Sequence, residues 1–414
     1  FRTVAHYVTM GAVSDWEDGV GRRDDVRPYC SDASDAPGIL SRVYNDRFGG
    51  GRWGPPPPPL LMQFGDGPLE DYVSKIHAPF IAKSRRAATE EELKRSAVYI
   101  PTIDAGKNDR LTRNNTKGAG WCVPPVPPGV SEIVPRPKLG AGTEKTPDSW
   151  SGKEYVPYSA VGYAPIIWKL EGESQHEMLW EVLTRDIPWE KKTNGAIWRG
   201  SMQGVNRTCH EDVLKKAKGG NNTISNEVER EICLKCIPRC SIVLSSARSK
   251  NVDAKFLPES FPHNAGISSS LDGFHLEGDE LSIREMLRFK MLISVEGNGV
   301  AADLIWSLMS RSVVLMPKPT ITSWAMEELL VPWVHYVPLE RNDDDNGDEG
   351  SRVGPGQYDV EDKAQWVLKN EEEARKISER ATLFIWDMFL HYDAWDEEQM
   401  IKKEMLRRYI DYFC

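Results

Sequence analysis

The most informative hydrophobic pattern lies between residues 291 and 338, where short apolar runs alternate with segments of helical period. Met291 to Val295 is an apolar run that ends in a glycine turn, which is typical of a strand buried on both faces. Residues 300–309 place their apolar side chains on one helical face. The same reasoning predicts a strand over 312–316, a helix over 324–330 and a strand over 332–338. This alternation predicts an α/β fold with a parallel sheet.

Elsewhere the pattern predicts fewer elements, because residues 1–95 are irregular and 113–150 are rich in proline and glycine. Strands are expected over 97–103 and 196–198, and helices over 171–185, 211–237, 361–381 and 397–413.

The loop Gly297, Asn298, Gly299 follows the first buried strand and precedes a helix. In parallel sheets, ligands bind outside the carboxyl ends of the strands. Glycines there let the backbone approach a phosphate closely. A tight turn without a ligand is the competing interpretation; a hairpin turn is not, because a helix follows the loop.

The net charge and the lengths of the apolar runs argue against some classes of binding partner. The chain has 414 residues and a net charge of −10, which argues against a nucleic acid held through its phosphates. Since no run of eighteen apolar residues occurs, no membrane span is predicted. The chain begins at Phe1 rather than Met, so a preceding signal or anchor segment stays an open question.

The seven cysteines permit disulfides, free thiols or a metal site. Cys233, Cys236 and Cys240 have a spacing that resembles that of metal ligands, although no fourth ligand lies at a standard distance. Disulfides or thiols are therefore favoured over zinc. Three Asn-X-Thr sequons, at Asn114, Asn206 and Asn221, slightly favour a secretory protein.

Several motifs together resemble glycosyltransferase family 90, the family of protein O-glucosyltransferases and capsule-associated xylosyltransferases. They are Trp198-Arg199-Gly200-Ser201, Arg288-Phe289-Lys290, Glu296-Gly297-Asn298-Gly299 and Pro332-Trp333-Val334-His335-Tyr336. The resemblance implies a GT-B architecture, in which two Rossmann-like domains face each other across a cleft. On that basis, 1–189 is expected to form the acceptor-side domain and 190–385 the nucleotide-sugar domain, with the helix in 386–414 returning to the first domain.

The resemblance also implies which residues bind the donor. Arg199, Gly200 and Ser201 end the predicted strand at 196–198, where an arginine can bind a diphosphate with two parallel hydrogen bonds. A structural salt bridge is the alternative role for Arg199. Arg288 and the Gly297, Asn298, Gly299 loop complete the expected donor-binding set.

An inverting transferase needs a general base to take the proton of the acceptor hydroxyl. In family 90 an aspartate just after an early strand has this role, which makes Asp104 the first candidate and Asp109 the second. The family's Asp-X-Pro wording is absent here. A turn aspartate that caps its own backbone is the alternative for both residues.

One position departs from the family pattern. Asp303 stands where the family commonly has an arginine that contacts the donor diphosphate, and a carboxylate would repel that group. Arg284, Arg288, Lys290 and Arg311 are the candidate substitutes.

The predicted function is that of an inverting glycosyltransferase that moves glucose or xylose from a UDP-sugar to a hydroxyl of a protein or polysaccharide. No metal and no further cofactor are expected. The expected location is the lumen of the endoplasmic reticulum or Golgi. The alternative is a catalytically inactive member of the family that binds glycans or proteins, and a cysteine-ligated metalloprotein is a third interpretation.

Overall fold

The computed structural model describes residues 61–63, 80–82, 84–87, 166–167, 169, 172–217, 225–260, 266–342 and 354–413. The chain divides into two compact units: the first comprises 1–171 with 395–414, and the second comprises 172–394. Among the described residues, no helix has both the length and the apolar character that crossing a bilayer requires.

In the first unit, the described strands are β1 (Leu61–Gln63), β2 (Phe80–Ala82), β3 (Ser84–Arg86) and β4 (Ile166–Ile167). Strands β1, β2 and β4 form a parallel sheet in that order. The last helix of the chain also belongs to this unit from Trp395 onward, and its Glu398 accepts a hydrogen bond of 2.6 Å from Lys169 Nζ. The predicted strand over 97–103 lies outside the described residues.

The strands of the second unit are β5 (Thr193–Gly200), β6 (Val252–Phe256), β7 (Ser270–Leu271), β8 (Phe274–His275), β9 (Phe289–Ile293), β10 (Val313–Met316), β11 (Ile321–Ser323) and β12 (Val337–Pro338). Its helices are α1 (Gly172–Arg185), α2 (Arg207–Ala217), α3 (Asn226–Cys236), α4 (Pro238–Ser246), α5 (Ile283–Met286), α6 (Leu304–Met309), α7 (Val360–Lys369) and α8 (Glu371–Phe389). Helix α9 is Ala394–Phe413.

The sheet of the second unit has the strand order β12-β10-β9-β5-β6, and every pair in it is parallel. The register places Ala196 opposite both Val252 and Met291. The predicted α/β class with a parallel sheet is therefore confirmed. The GT-B arrangement and the predicted domain boundaries at 189 and 385 stay predictions.

The sheet is buried on both faces because alternate residues of each strand enter different cores. Trp198, Met291 and Val313 belong to one core, which α2, α3, α4 and α7 cover. Ile197, Leu292 and Val314 belong to the other, which α1, α6 and α8 cover. Burial on both faces explains why these strands appear as continuous apolar runs in the sequence.

The predicted helices differ from the observed ones mainly where the structure interrupts a helix that the sequence pattern predicts as continuous. The helix expected over 211–237 is two helices, α2 and α3. The helix expected over 361–381 is interrupted at Asn370, whose backbone N–H bonds to Trp366 O at 2.9 Å and ends α7. The segment 324–330 contains only a 3₁₀ turn at Glu327–Leu329.

Candidate functional site

The strand order locates the candidate site. β5 is followed in the chain by β6 on one side of it, and the next strand of the sheet, β9, lies on its other side. The connections thus leave β5 and β9 in opposite directions, and parallel sheets bind ligands at the carboxyl ends of such a strand pair. We call the segments 201–204 and 294–299, which follow these two strands, the switch-point loops.

The two switch-point loops touch each other directly. The backbone N–H of Gly204 donates to Asn298 Oδ1 at 3.1 Å. Gly204 has φ +77°, and a Cβ on it would lie 2.9 Å from Gly297 O. Glycine is therefore required at Gly204 both by the left-handed backbone and by the close approach of the second loop.

The helix predicted over 300–309 begins only at Leu304, so Asn298 to Asp303 extend the loop. Gly297 N–H donates to Gly299 O at 3.1 Å and closes a tight turn. Asp303 Oδ1 accepts from Ser294 Oγ at 2.7 Å, which joins the start of α6 to the end of β9. Burial raises the pKa of Asp303, against the opposing effects of this hydrogen bond and the charge of Arg239.

Arg239, in the first turn of α4, lies at the switch-point loops and was not among the sequence candidates. Its guanidinium donates to Ser201 O at 2.9 Å and to Val295 O at 2.9 and 3.1 Å. A further bond of 3.2 Å reaches Glu296 O. The only sequence signal was the Pro-Arg pair at a helix start, which does not indicate where the side chain goes.

Two glutamates lie beyond β9, of which Glu327 is buried and Glu296 is half-buried. Glu296 accepts from the backbone N–H groups of Thr320 at 2.8 Å and Ile321 at 2.9 Å, and from the Thr320 hydroxyl. Glu327 accepts from Ser323 N–H and Ser323 Oγ, both at 2.6 Å. Burial raises the pKa of both carboxyls, and these hydrogen bonds oppose the rise.

Arg199 lies near the carboxyl end of β5, as predicted, but its side chain is engaged with the protein. Its Nη2 donates to Asp253 Oδ2 at 2.7 Å and its Nη1 to Asp253 Oδ1 at 3.2 Å. Its Nε donates to Asp279 O at 2.9 Å. This is the salt-bridge geometry that the sequence left open as the alternative, although Asp253 is itself half exposed.

The structure brings together Gly200, Ser201, Gly297, Asn298 and Gly299 at one edge of the sheet, but not Arg288. Residue Arg288 immediately precedes β9, and its carbonyl accepts from Thr193 N–H at the start of β5. It therefore lies at the amino edge, roughly five residues or 16 Å along the strand from the switch-point loops.

The other candidate substitutes for the family arginine lie on the same amino edge. Lys290 Nζ binds Glu371 at 2.7 Å, and Arg311 lies two residues before β10. Arg284 lies in α5, before β9. Asp104 and Asp109, the two candidates for the general base, lie outside the described residues.

The cysteine cluster forms disulfides. Cys233 pairs with Cys240, and Cys236 pairs with Cys209 of α2, so all three cysteines with metal-like spacing are in disulfides. Within the described part of the chain, no group of three or more His, Cys, Asp or Glu side chains is arranged to hold a metal ion.

Comparison with known proteins identifies relatives of this chain. It is 24% identical to the O-glucosyltransferase rumi of Drosophila melanogaster over 225 residues, which are 54% of this chain and 42% of that protein. It is 42% identical to the O-glucosyltransferase LpsA of Dichelobacter nodosus over 59 residues, 14% of this chain and 19% of that protein. It is 28% identical to protein O-glucosyltransferase 3 of Homo sapiens over 105 residues, 25% of this chain and 18% of that protein.

The matched part of this chain spans less than half the length of each of these relatives. The family model described as glycosyl transferase family 90 matches residues 171–396, which include the whole parallel sheet of the second unit and both switch-point loops. This match covers more than half of the sequence, and the chain belongs to glycosyl transferase family 90.

Proposed function

We propose that this protein transfers glucose or xylose from a UDP-sugar to a hydroxyl group of a protein or glycan, with inversion at the sugar carbon. The observation that carries the proposal is the contact between Gly204 and the Gly297, Asn298, Gly299 loop at the switch point of the sheet. In a family 90 chain, two glycine-containing loops at that edge form a suitable binding site for the diphosphate of a nucleotide.

The names of the relatives favour glucose as the sugar, because three of them are O-glucosyltransferases. Chemically, the leaving UDP carries negative charge that must be stabilised as the glycosidic bond breaks. Arg199 and the backbone of the switch-point loops would supply this stabilisation, without a required metal ion. Asp104, or else Asp109, would take the proton from the acceptor hydroxyl. A GT-B arrangement, with the acceptor bound by the first domain, completes the proposal.

A secretory location fits the two disulfides, which form and persist in oxidising compartments. We therefore place the protein in the lumen of the endoplasmic reticulum or Golgi. The more oxidising thiol–disulfide poise of that compartment would keep these disulfides closed.

The test begins with calorimetry against UDP, UDP-glucose and UDP-xylose, followed by assays of UDP release with and without hydroxyl acceptors. UDP-sugar binding together with transfer supports the proposal. Asp104→Asn should abolish transfer and retain UDP binding, since a general base contributes about a hundred- to ten-thousandfold in rate. Asp109→Asn tests the second candidate, and Asp272→Asn, an exposed aspartate of the β7–β8 turn, is the control.

The alternative function, a binding protein without catalysis, was suggested by Asp303. Binding of UDP-sugars with no release or transfer would favour it. A chain that binds none of the three nucleotides would contradict the transferase function and leave the binding of a glycan or protein as the alternative.

A further inference from the structure

Arg239 makes an unusual set of contacts for an arginine beside a proposed anion site. Its hydrogen bonds go to the main-chain carbonyls of Ser201, Val295 and Glu296, so one side chain joins the segment after β5 to the segment after β9. These carbonyls lie in loops, where the backbone N–H groups of neighbouring strands no longer donate hydrogen bonds to them. A planar guanidinium with five N–H donors can serve three carbonyls at once, whereas a lysine ammonium has no such fixed geometry.

The loops are built around this side chain. A Cβ on Gly297 would lie 2.9 Å from Arg239 Nη2 and 3.0 Å from Gln203 Oε1. Since four hydrogen bonds hold the guanidinium in place, it cannot easily retreat from such a contact. The glycine of the family motif therefore has a second reason to be glycine: it leaves room for Arg239 as well as for a ligand.

The backbone at Arg239 is held in place as firmly as its guanidinium. Arg239 lies between Cys236 and Cys240, and each of these cysteines is in a disulfide, to Cys209 and to Cys233 respectively. The junction of α3 and α4 is thus tied to α2 and within itself. The Arg239 side chain also packs over the Trp198 ring, with 5.7 Å from its Cζ to the ring centroid.

Asp303 lies close to this arginine, because it bonds to Ser294, the neighbour of the Val295 carbonyl that Arg239 binds. Burial lowers the pKa of Arg239, and the negative charge of Asp303 opposes that change. The carboxylate accepts from Ser294 at 2.7 Å, which holds it at the end of β9. The repulsion between Asp303 and a diphosphate is therefore offset, because Arg239 carries the opposite charge and interacts electrostatically with Asp303.

We propose that Arg239 is a positioning residue of the donor site, which locks the two switch-point loops together and whose charge Asp303 balances. The inference rests on the proposed function for the identity of the ligand, a nucleoside diphosphate. The locking of the loops is a property of the free protein and can be measured without any ligand. Arg239 acts through the backbone of Ser201, Val295 and Glu296 rather than by touching the sugar.

The test uses Arg239→Lys, which keeps the charge and removes the fork, in the full chain. Amide hydrogen exchange of the free protein should become about tenfold faster in the switch-point loops, because several carbonyl contacts are lost. UDP should bind about ten- to hundredfold more weakly. The matched control is Arg230→Lys in the neighbouring α3, whose Nε binds Asp272 at 2.8 Å at the surface. It should change neither quantity.

A second variant, Asp303→Asn, tests the charge balance and serves if Arg239→Lys does not fold. The amide can still accept from Ser294, so exchange in the loops should remain as in the wild type. UDP should bind a few-fold more tightly and with a steeper loss of affinity at high salt, because the charge of Arg239 is no longer compensated.

Unchanged exchange and unchanged UDP affinity in a folded Arg239→Lys variant would overturn the proposal. Equal or weaker UDP binding by Asp303→Asn would overturn the charge balance. A wild-type chain that binds no UDP would defeat the proposed function instead, and the exchange measurement would still decide whether Arg239 holds the loops.

Discussion

The two edges of the parallel sheet use charged residues in different ways. At the amino edge, Lys290 pairs with Glu371 at 2.7 Å and the fully buried Lys192 pairs with Asp186, so cations meet side-chain carboxylates. At the carboxyl edge, Arg239 binds backbone carbonyls of loops, and Glu296 binds backbone N–H groups. Arg199, which pairs with Asp253 near this edge, is the exception.

The difference separates a stabilising edge from a ligand-binding edge. Ion pairs between side chains fix the amino ends of the strands and the helices around them. Charged groups bonded to loop backbone fix the loops in one conformation and leave the loop surface available to a ligand. Variants at the amino edge should therefore change stability, and variants at the carboxyl edge should change nucleotide binding.

The largest effect is expected from Asp186→Ala at the amino edge. This substitution removes the carboxylate that pairs with the buried Lys192, which keeps only its hydrogen bond of 2.5 Å to the carbonyl of Leu287. It also removes the acceptor of the Arg311 N–H, which lies 2.6 Å from Asp186 Oδ2. Breaking a buried pair in this way costs about 3–5 kcal/mol. Urea unfolding should show this loss, while UDP affinity under native conditions should not change.

The control for Asp186→Ala is Glu372→Ala, which removes an exposed carboxylate 3.5 Å from Lys376. It should leave the urea midpoint unchanged, because exposed pairs contribute little. An Asp186→Ala variant that is as stable as the wild type, or that is folded but loses UDP binding, would contradict the division between the edges.

Arg199→Ala should weaken UDP binding by about 1.5–3 kcal/mol, the range for a hydrogen bond to a charged group. The companion variant is Asp253→Asn, which removes the salt-bridge partner but keeps the guanidinium. It should retain UDP affinity by calorimetry. Equal UDP affinity in Arg199→Ala and wild type would assign Arg199 to the salt bridge alone.

Gly204→Ala should destabilise the protein by about 1–3 kcal/mol and weaken UDP binding, because the new Cβ meets the second loop. The matched control is Gly273→Ala. Gly273 has the same φ of +77°, but nothing lies within 4 Å of the position that its Cβ would take, so this variant reports the backbone penalty alone. Thermal unfolding and calorimetry of both variants measure the difference, and identical results would show that contact between the loops is unimportant.

The smallest effect concerns pH, and its sign differs between the edges. Burial raises the pKa of Glu296 above its usual 4.5, so stability associated with this group is lost as pH rises through its folded pKa. Hydrogen bonds from Lys290 and Trp189 lower the pKa of Glu371, so its contribution is present above the usual pKa and lost as pH falls.

Urea unfolding between about pH 3 and 8 should therefore give opposite trends. Glu296→Gln should gain stability relative to the wild type as pH rises, since the amide can accept the same two backbone bonds. Glu371→Gln should lose stability relative to the wild type as pH rises, by an amount reduced by solvent, because Glu371 is partly exposed. Trends of the same sign would remove the electrostatic distinction between the edges.

Much of the sheet could be predicted because burial on both faces gives an unmistakable sequence pattern. Met291 to Ile293 and Val313 to Met316 are strands where the apolar runs predicted them. Helix breaks were predicted less well. Asn370 ends α7 within an otherwise amphipathic segment, and a weak local signal of this kind does not outweigh the surrounding helical period.

The candidate site could be predicted only in part. The Gly297, Asn298, Gly299 loop was identifiable because glycines after a buried strand indicate a tight turn or a close approach of the backbone. Arg288 was misleading, because sequence proximity to the loop does not show that about five strand residues separate the two edges. Arg239 gave no usable signal, since 56 residues separate it from Val295, to which it binds.

The sequence by itself determined the family motifs, the parallel strands and the glycine loops, because each is encoded by neighbouring residues. The tertiary structure alone decided which cations lie at which edge, how Cys209, Cys233, Cys236 and Cys240 pair, and that Arg239 rather than a family-position arginine occupies the switch point. Contacts between distant residues depend on the strand order, and local sequence carries no direct record of that order.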